Sequence, residues 1–201
     1  MGITTEQIKE LRKATGAGVL DCRKALEDSN GDFDKAVLVL REKGLSKAAK
    51  RAGRETGDGV VELYTHGGGR VGVMVEVNCE TDFVARSDAF RELAHEVALQ
   101  IAATSPGWVA ENTVPEEEIE KEHELALKQA KDDGKTGDVV DRIADGRIAK
   151  YLDEVVLLRQ PYIRDDRKTI NDLLNDAVAS LGENILIRRF ERWELGEHIE
   201  D

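Results

Sequence analysis

The spacing of apolar residues changes from helical to alternating near residue 55, and that change limits the folds open to the chain. Before it, apolar residues recur every three or four positions; after it, they alternate. Val71, Val73, Val75 and Val77 alternate with Gly72, Met74 and Glu76, and Val61 and Leu63 alternate with Glu62 and Tyr64. A period of two puts successive side chains on opposite faces of an extended strand, so the pattern predicts paired strands over Val60–Thr65 and Arg70–Asn78. His66-Gly67-Gly68-Gly69 then reads as the hairpin between them. Glycine-rich loops also cradle phosphates, but only where the loop runs into a helix N-terminus, and here a valine-rich strand follows.

The first 44 residues predict three short helices. Thr4-x-x-Gln7 is a capping box opening a helix whose Ile8, Leu11 and Ala14 form one stripe, and Gly16-Ala17-Gly18 closes it. The second helix would bury Val19, Cys22, Ala25 and Leu26 and end at Asn30-Gly31. Asp32 can cap a third, carrying Phe33, Ala36, Val37 and Leu40, which ends before Gly44. Leu45 to Asp58 reads as a helical or flexible linker, which divides the chain into residues 1–54 and 55–201.

Helices dominate after the strands. Asp88 can start one through Phe90, Leu93, Ala94, Val97 and Ile101, ended near Pro106-Gly107. Thr113-x-x-Glu116 reads as a second capping box before the acidic stretch Glu116 to Lys131. Val140, Ile143, Ala144, Ile148, Tyr151 and Val155 mark another helix, and Thr169 can cap one through Ile170, Leu173, Leu174, Ala177, Val178 and Leu181. Ile185 to Trp193, rich in β-branched and aromatic residues, is a third strand able to pair with the hairpin. The class is α+β.

Charge excludes several functions. Residues 1–54 hold 12 Lys/Arg against 8 Asp/Glu, a net of +4; since the chain totals −12, the remainder carries −16. Such a body repels nucleic-acid phosphate and favours a protein partner. Lys47, Lys50, Arg51 and Arg54 form the one cluster where RNA or ribosome contact is an alternative to a solvated linker. No apolar run reaches the ~20 residues that span a bilayer, and Met1-Gly2-Ile3-Thr4-Thr5 lacks the basic start of a secretory signal, so a cytoplasmic location is expected.

Catalytic readings fare poorly. Cys22 and Cys79 have no Cys-x-x-Cys spacing and read as reduced, inert thiols. His66, His95, His123 and His198 are scattered without metal-ligand spacing, so no metal is expected. Gly134-Lys135-Thr136 imitates the tail of a phosphate loop, yet Gln129 stands where its first glycine belongs and a helical pattern precedes it, so the segment reads as a turn. Asp132-Asp133 and Asp165-Asp166 sit in polar surroundings and read as solvated loops. The chain is not expected to be an enzyme or to need a cofactor.

One segment escapes general patterning. Asn78-Cys79-Glu80-Thr81-Asp82-Phe83-Val84-Ala85-Arg86-Ser87 lies where a valine strand ends and a helix begins, and it sets one of only four phenylalanines among polar residues. Loops held between rigid elements favour recognition. Equally, Thr81 or Asp82 can cap a short helix while Phe83 tucks into the core.

These residues carry a family resemblance. Leu11-Arg12-x-x-Thr15-Gly16-Ala17-Gly18-Val19-Leu20-Asp21-Cys22-Arg23-Lys24-Ala25-Leu26 resembles the first signature of the elongation factor Ts family, and Glu80-Thr81-Asp82-Phe83-Val84-Ala85-Arg86 its second. Likeness continues through Asp145-Gly146-Arg147, Gln160-Pro161-Tyr162 and Gly182-Glu183-Asn184-Ile185-x-Ile187-Arg188-Arg189-Phe190. The resemblance implies a three-helix module similar to a ubiquitin-associated domain, followed by a core with an antiparallel sheet of about three strands flanked by helices. It also implies a guanine nucleotide exchange factor that binds elongation factor Tu and releases its GDP by disturbing the Mg²⁺/phosphate site. Asp82 and Phe83 would wedge there, within a contact segment of Thr81, Asp82, Phe83, Val84 and Ala85. Arg12, Val19, Leu20 and Arg23 would grip the partner's guanine-nucleotide domain from the nucleotide-base side.

Two departures stand out: Ser87 where the family commonly has Asn, and Val19-Leu20 where methionines are frequent, which keeps an apolar surface with less adaptable side chains. The chain resembles short members, with one core subdomain and no long coiled-coil insertion. By analogy with them, self-association through the core, without a disulfide, is the expectation.

Overall fold

A computed structural model describes residues 3–197. Helix α1 (Thr5–Thr15) opens on the expected capping box: the Gln7 amide donates to Thr4 Oγ1 (3.3 Å) and the Thr4 amide to Gln7 Oε1 (2.9 Å), while Gly16 closes the helix in the left-handed region. Helix α2 (Val19–Asp28) follows, and Asp32 Oδ1 accepts the Lys35 amide (3.1 Å) to cap α3 (Phe33–Arg51). Leu11, Cys22, Ala25, Leu26, Ala36 and Leu40 make the shared core of these three helices. Two expected core residues face outward instead: Ala14 on α1 and Val19 at the start of α2 are exposed.

Helix α3 does not end at Gly44 but runs on to Arg51, through much of the expected linker. Gly44 is buried, and a Cβ placed on it would meet the Ala179 Cβ at 3.6 Å. Gly44 is a packed interior position of the helix with room for a Cβ, not a helix stop.

Strands β1 (Asp58–His66), β2 (Val71–Cys79) and β5 (Leu186–Glu194) form an antiparallel sheet in the order β1-β2-β5, as expected for an α+β chain. The turn Gly67–Gly69 lies wholly at positive φ, and the Arg70 amide bonds to the His66 carbonyl (3.1 Å). On β2 the valines Val73, Val75 and Val77 are buried. On β1 the apolar set faces out: Val61 and Leu63 are exposed, while Glu62 and Tyr64 are half-buried. Glu62 is compensated by His95, whose Nδ1 lies 3.1 Å from its carboxylate.

Helix α4 (Asp82–Ala85) is a single turn, and α5 (Asp88–Thr104) buries Phe90, Leu93, Ala94, Val97, Ala98 and Ile101. Helices α6 (Glu116–Asp132) and α7 (Asp138–Val155) form a hairpin that turns at Asp133–Gly137, where the Gly134-Lys135-Thr136 segment lies. Thr113 does not cap α6; its hydroxyl donates to the Ala110 carbonyl (2.6 Å), and Pro115 occupies the cap position. Asp165-Asp166 is no loop: Asp165–Thr169 forms β4, paired antiparallel with β3 (Pro161–Tyr162). Three side chains hold this small ribbon. The Gln100 amide donates to Gln160 Oε1 (3.2 Å) and the Pro161 carbonyl (3.1 Å), the Ile163 amide donates back to Gln100 Oε1 (3.0 Å), and Thr104 bonds Gln160. Helix α8 (Ile170–Leu181) follows directly.

By its contacts the chain divides into two compact units. One takes the chain up to Glu62, then Val75–Glu96 and Asp172–Arg188; the other takes Leu63–Met74, Val97–Asn171 and the chain from Arg189 on. Among the described residues, no helix is long and apolar enough to cross a membrane, and no group of three or more His, Cys, Asp or Glu is placed to hold a metal. His198 lies outside the described residues.

Candidate protein-binding loop

The β2 ladder ends at Cys79, and the chain must turn sharply to start α4. Thr81 makes the turn: it is extended (φ −133°, ψ 153°), and its hydroxyl accepts the Val84 amide (3.4 Å) as the helix cap. A four-residue helix has no stability of its own. What holds it is burial of Val84 and Ala85 on one side and polar tethers at its start. The other side carries Asp82 and Phe83 into solvent. Phe83 is 82% exposed, whereas Phe90 on α5 is fully buried. Of the two readings of Phe83, core or recognition, the fold rejects the core. Asp82 pairs with Arg86 one turn along (2.9 Å), on the exposed surface.

Three hydrogen bonds accepted by one carboxylate, two from backbone amides and one from a hydroxyl, anchor the loop. Glu183, just after α8, accepts the Glu80 amide (3.0 Å) and the Thr81 amide (3.1 Å) on Oε2 and the Thr81 hydroxyl (2.6 Å) on Oε1. Glu80 Oε1 in turn accepts the Asn184 amide (2.6 Å) and lies 3.3 Å from Arg54 Nη1. Asn184 is buried, and its side-chain amide donates to the carbonyls of Arg54 (2.9 Å) and Ala52 (3.4 Å) beyond α3. In the sequence Glu183 and Asn184 stand out only as part of a resembling motif; no local pattern links positions over a hundred residues apart. Cys79 Sγ donates to the Thr81 carbonyl (3.2 Å). Burial, and then the nearby Glu183 carboxylate, push the Cys79 thiol up to about 11. Both cysteines are free and buried.

The predicted N-terminal surface lies on α1 and α2. Arg12, Val19, Leu20 and Arg23 are all exposed, Leu20 at 80%, and Arg23 pairs with Glu27 (2.8 Å) one turn along its helix. The nearby basic cluster is partly spent on internal pairs. Lys47 binds Asp21 (2.9 Å) and by that hydrogen bond holds its carboxyl below the usual range, Arg51 donates to the Lys47 carbonyl, and Arg54 pairs with Glu80. Phosphate contact would have to compete with these pairs.

Comparison with known proteins decides the family. A family model described as "Elongation factor TS" matches residues 10–197. The chain belongs to the elongation factor Ts family. Proteins named elongation factor Ts from Caldanaerobacter subterraneus subsp. tengcongensis and Coprothermobacter proteolyticus are each 54% identical to it, over 198 and 197 residues. The alignments cover 98% of this chain in both cases, and 99% and 100% of the relatives. A Leptospira biflexa protein of the same name is 53% identical over 196 residues, covering 98% of this chain and 99% of its own length. Within this elongation factor Ts framework the Ser87 departure has a plain structural account. Ser87 Oγ accepts the Phe90 amide (3.3 Å) and its hydroxyl donates to the Val84 carbonyl (2.7 Å), so it caps α5, a task Asn and Ser perform about equally.

Proposed function

We propose that this elongation factor Ts family member is a guanine nucleotide exchange factor acting in the cytoplasm: it binds elongation factor Tu and speeds GDP release during translation elongation. No bond is made or broken. The mechanism is linkage: if the factor binds its partner more tightly without GDP than with it, GDP must bind the complex more weakly by the same factor. The observation that carries the reading is Phe83, an aromatic side chain held almost fully in solvent by a tethered turn of helix. Exposed aromatics on rigid supports are the side chains on which protein interfaces concentrate their binding energy.

In this reading Asp82 and Phe83 wedge beside the partner's Mg²⁺/phosphate site and displace packing there. Thr81 caps the turn, and the buried Val84 and Ala85 serve as its foundation. Residues 1–54 act as a gripping module through Arg12, Val19, Leu20 and Arg23, and residues 55–201 as the core that presents the wedge. Self-association through the core belongs to the same reading. Leu63 on β1 and Met74 on β2 stand exposed on neighbouring strands, and Trp193 on β5 is 77% exposed. Apolar side chains grouped in this way on one sheet favour a second copy.

The test is direct. Elongation factor Tu loaded with fluorescent GDP is mixed with excess unlabelled GDP, and the decay of the signal is followed with increasing amounts of this protein. The decay rate should rise with concentration and then saturate; a rate independent of this protein would overturn the reading.

A further inference from the structure

We propose that Glu183 is the positioning residue of the recognition turn: its carboxylate sets the direction of α4 and so the presentation of Phe83. The proposal rests on the exchange reading above for the meaning of Phe83, but its physical basis lies in the free protein.

Where β2 ends, the amides of Glu80 and Thr81 have left the strand ladder, and both donate to Glu183 Oε2 at 3.0 and 3.1 Å. The Thr81 hydroxyl adds a third bond to Oε1 at 2.6 Å. Three donors from two successive residues, converging on one carboxylate, fix the backbone at the hinge from which α4 starts. Phe83 buries too little of itself to set that direction, and a one-turn helix cannot do so alone. The next residue extends the hold. Asn184 donates its backbone amide to Glu80 and its side-chain amide to the carbonyls of Ala52 and Arg54. One dipeptide therefore ties the recognition turn to the segment leaving α3. A wedge held in its bound direction beforehand loses less freedom on docking, so removing the tether should weaken binding more than it slows the bound complex.

The test uses the full chain with Glu183→Ala and Glu183→Gln. Gln keeps one oxygen for the two amides and can donate to the Thr81 hydroxyl, so it should rescue what Ala loses. In the free protein, amide hydrogen exchange at Glu80, Thr81 and Val84 should accelerate about tenfold or more in Glu183→Ala, as expected for loss of bonds to a charged acceptor. It should stay within about threefold of the parent in Glu183→Gln. In stimulated GDP release, Glu183→Ala should raise the half-saturating concentration about tenfold while the rate at saturation holds. Adding Phe83→Ala to Glu183→Ala should then cost less than Phe83→Ala alone, because a misdirected wedge has less to lose. Unchanged protection of the three amides would overturn the proposal. So would protection lost equally across the α5 amides, or Gln failing with Ala, either of which marks a merely structural residue. If the parent protein does not stimulate GDP release at all, the exchange reading fails, and the amide measurements still decide the clamp.

Discussion

Phe83 and Phe90 lie two turns of chain apart and have opposite surroundings, one 82% exposed and the other with no exposed surface. Truncating them should separate recognition from packing. Phe83→Ala should change stability by less than ~0.5 kcal/mol, as surface substitutions do, yet slow stimulated GDP release at least about thirtyfold, the loss of an interface anchor. Phe90→Ala should cost ~3–5 kcal/mol of stability. Thermal unfolding and GDP release measured on the same preparations check both; an early-melting Phe83→Ala protein with normal exchange would contradict the assignment. Cys79 allows a second test. Its thiol is pushed up to about 11 from an ordinary 9.0, first by burial and then by Glu183. At pH 8 it should resist iodoacetamide in the folded protein and react once urea unfolds the chain, as read by mass spectrometry. The sign of the pH effect follows. Between pH 9 and 11 the unfolded chain gives up this proton while the folded one keeps it, so stability should fall as pH rises through that window.

Two glycines report on how the elements pack, with opposite signs. Gly44 lies inside α3, and an added Cβ would make ordinary contact with the Ala179 Cβ at 3.6 Å. Gly44→Ala should therefore gain most of the ~1 kcal/mol by which Ala exceeds Gly in a helix and raise the melting temperature. Gly44→Leu should overfill the same gap and cost ~1–3 kcal/mol. Gly59 on β1 has φ 151°, and a Cβ there would sit 2.2 Å from the Val77 carbonyl oxygen on β2. Gly59→Ala should cost ~1–3 kcal/mol from the backbone conformation alone, before the collision is counted. Calorimetry on the three variants checks the order: Gly44→Ala above the parent, the other two below. A reading of the sequence alone treats Gly44 as a helix stop and gives Gly59 no role, because what distinguishes them is the partner each one meets.

For the whole molecule the exposed apolar residues of the sheet matter most. Leu63, Met74 and Trp193 are exposed there, while both thiols are buried and free. Sedimentation at micromolar concentration should give a dimer that reductant leaves intact, and Leu63→Glu combined with Met74→Lys should shift it to monomer without unfolding it. A monomer in the parent protein, or a dimer lost on adding reductant, would refute this arrangement. The −16 carried beyond residue 54 acts at the same scale: a charge of that sign and size works electrostatically against the binding of polyanions.

What the sequence determined by itself was local or cumulative. Capping at Thr4 and Asp32, the alternation of β2, the glycine turn at 67–69 and the strand near 186–194 were legible because each depends on neighbours within a few residues. The family was legible because two long signatures are recognisable, the first of them despite its Val19-Leu20 departure. Only the tertiary structure decided which way β1 turns its apolar side, that α3 runs through Gly44, and that Asp165–Thr169 is a strand. It also decided that Phe83 stands in solvent and that Glu183 holds the turn which carries it. The physical reason is common to all five. Periodicity states that a residue has a face, while burial and hydrogen bonding depend on what the distant chain brings to that face.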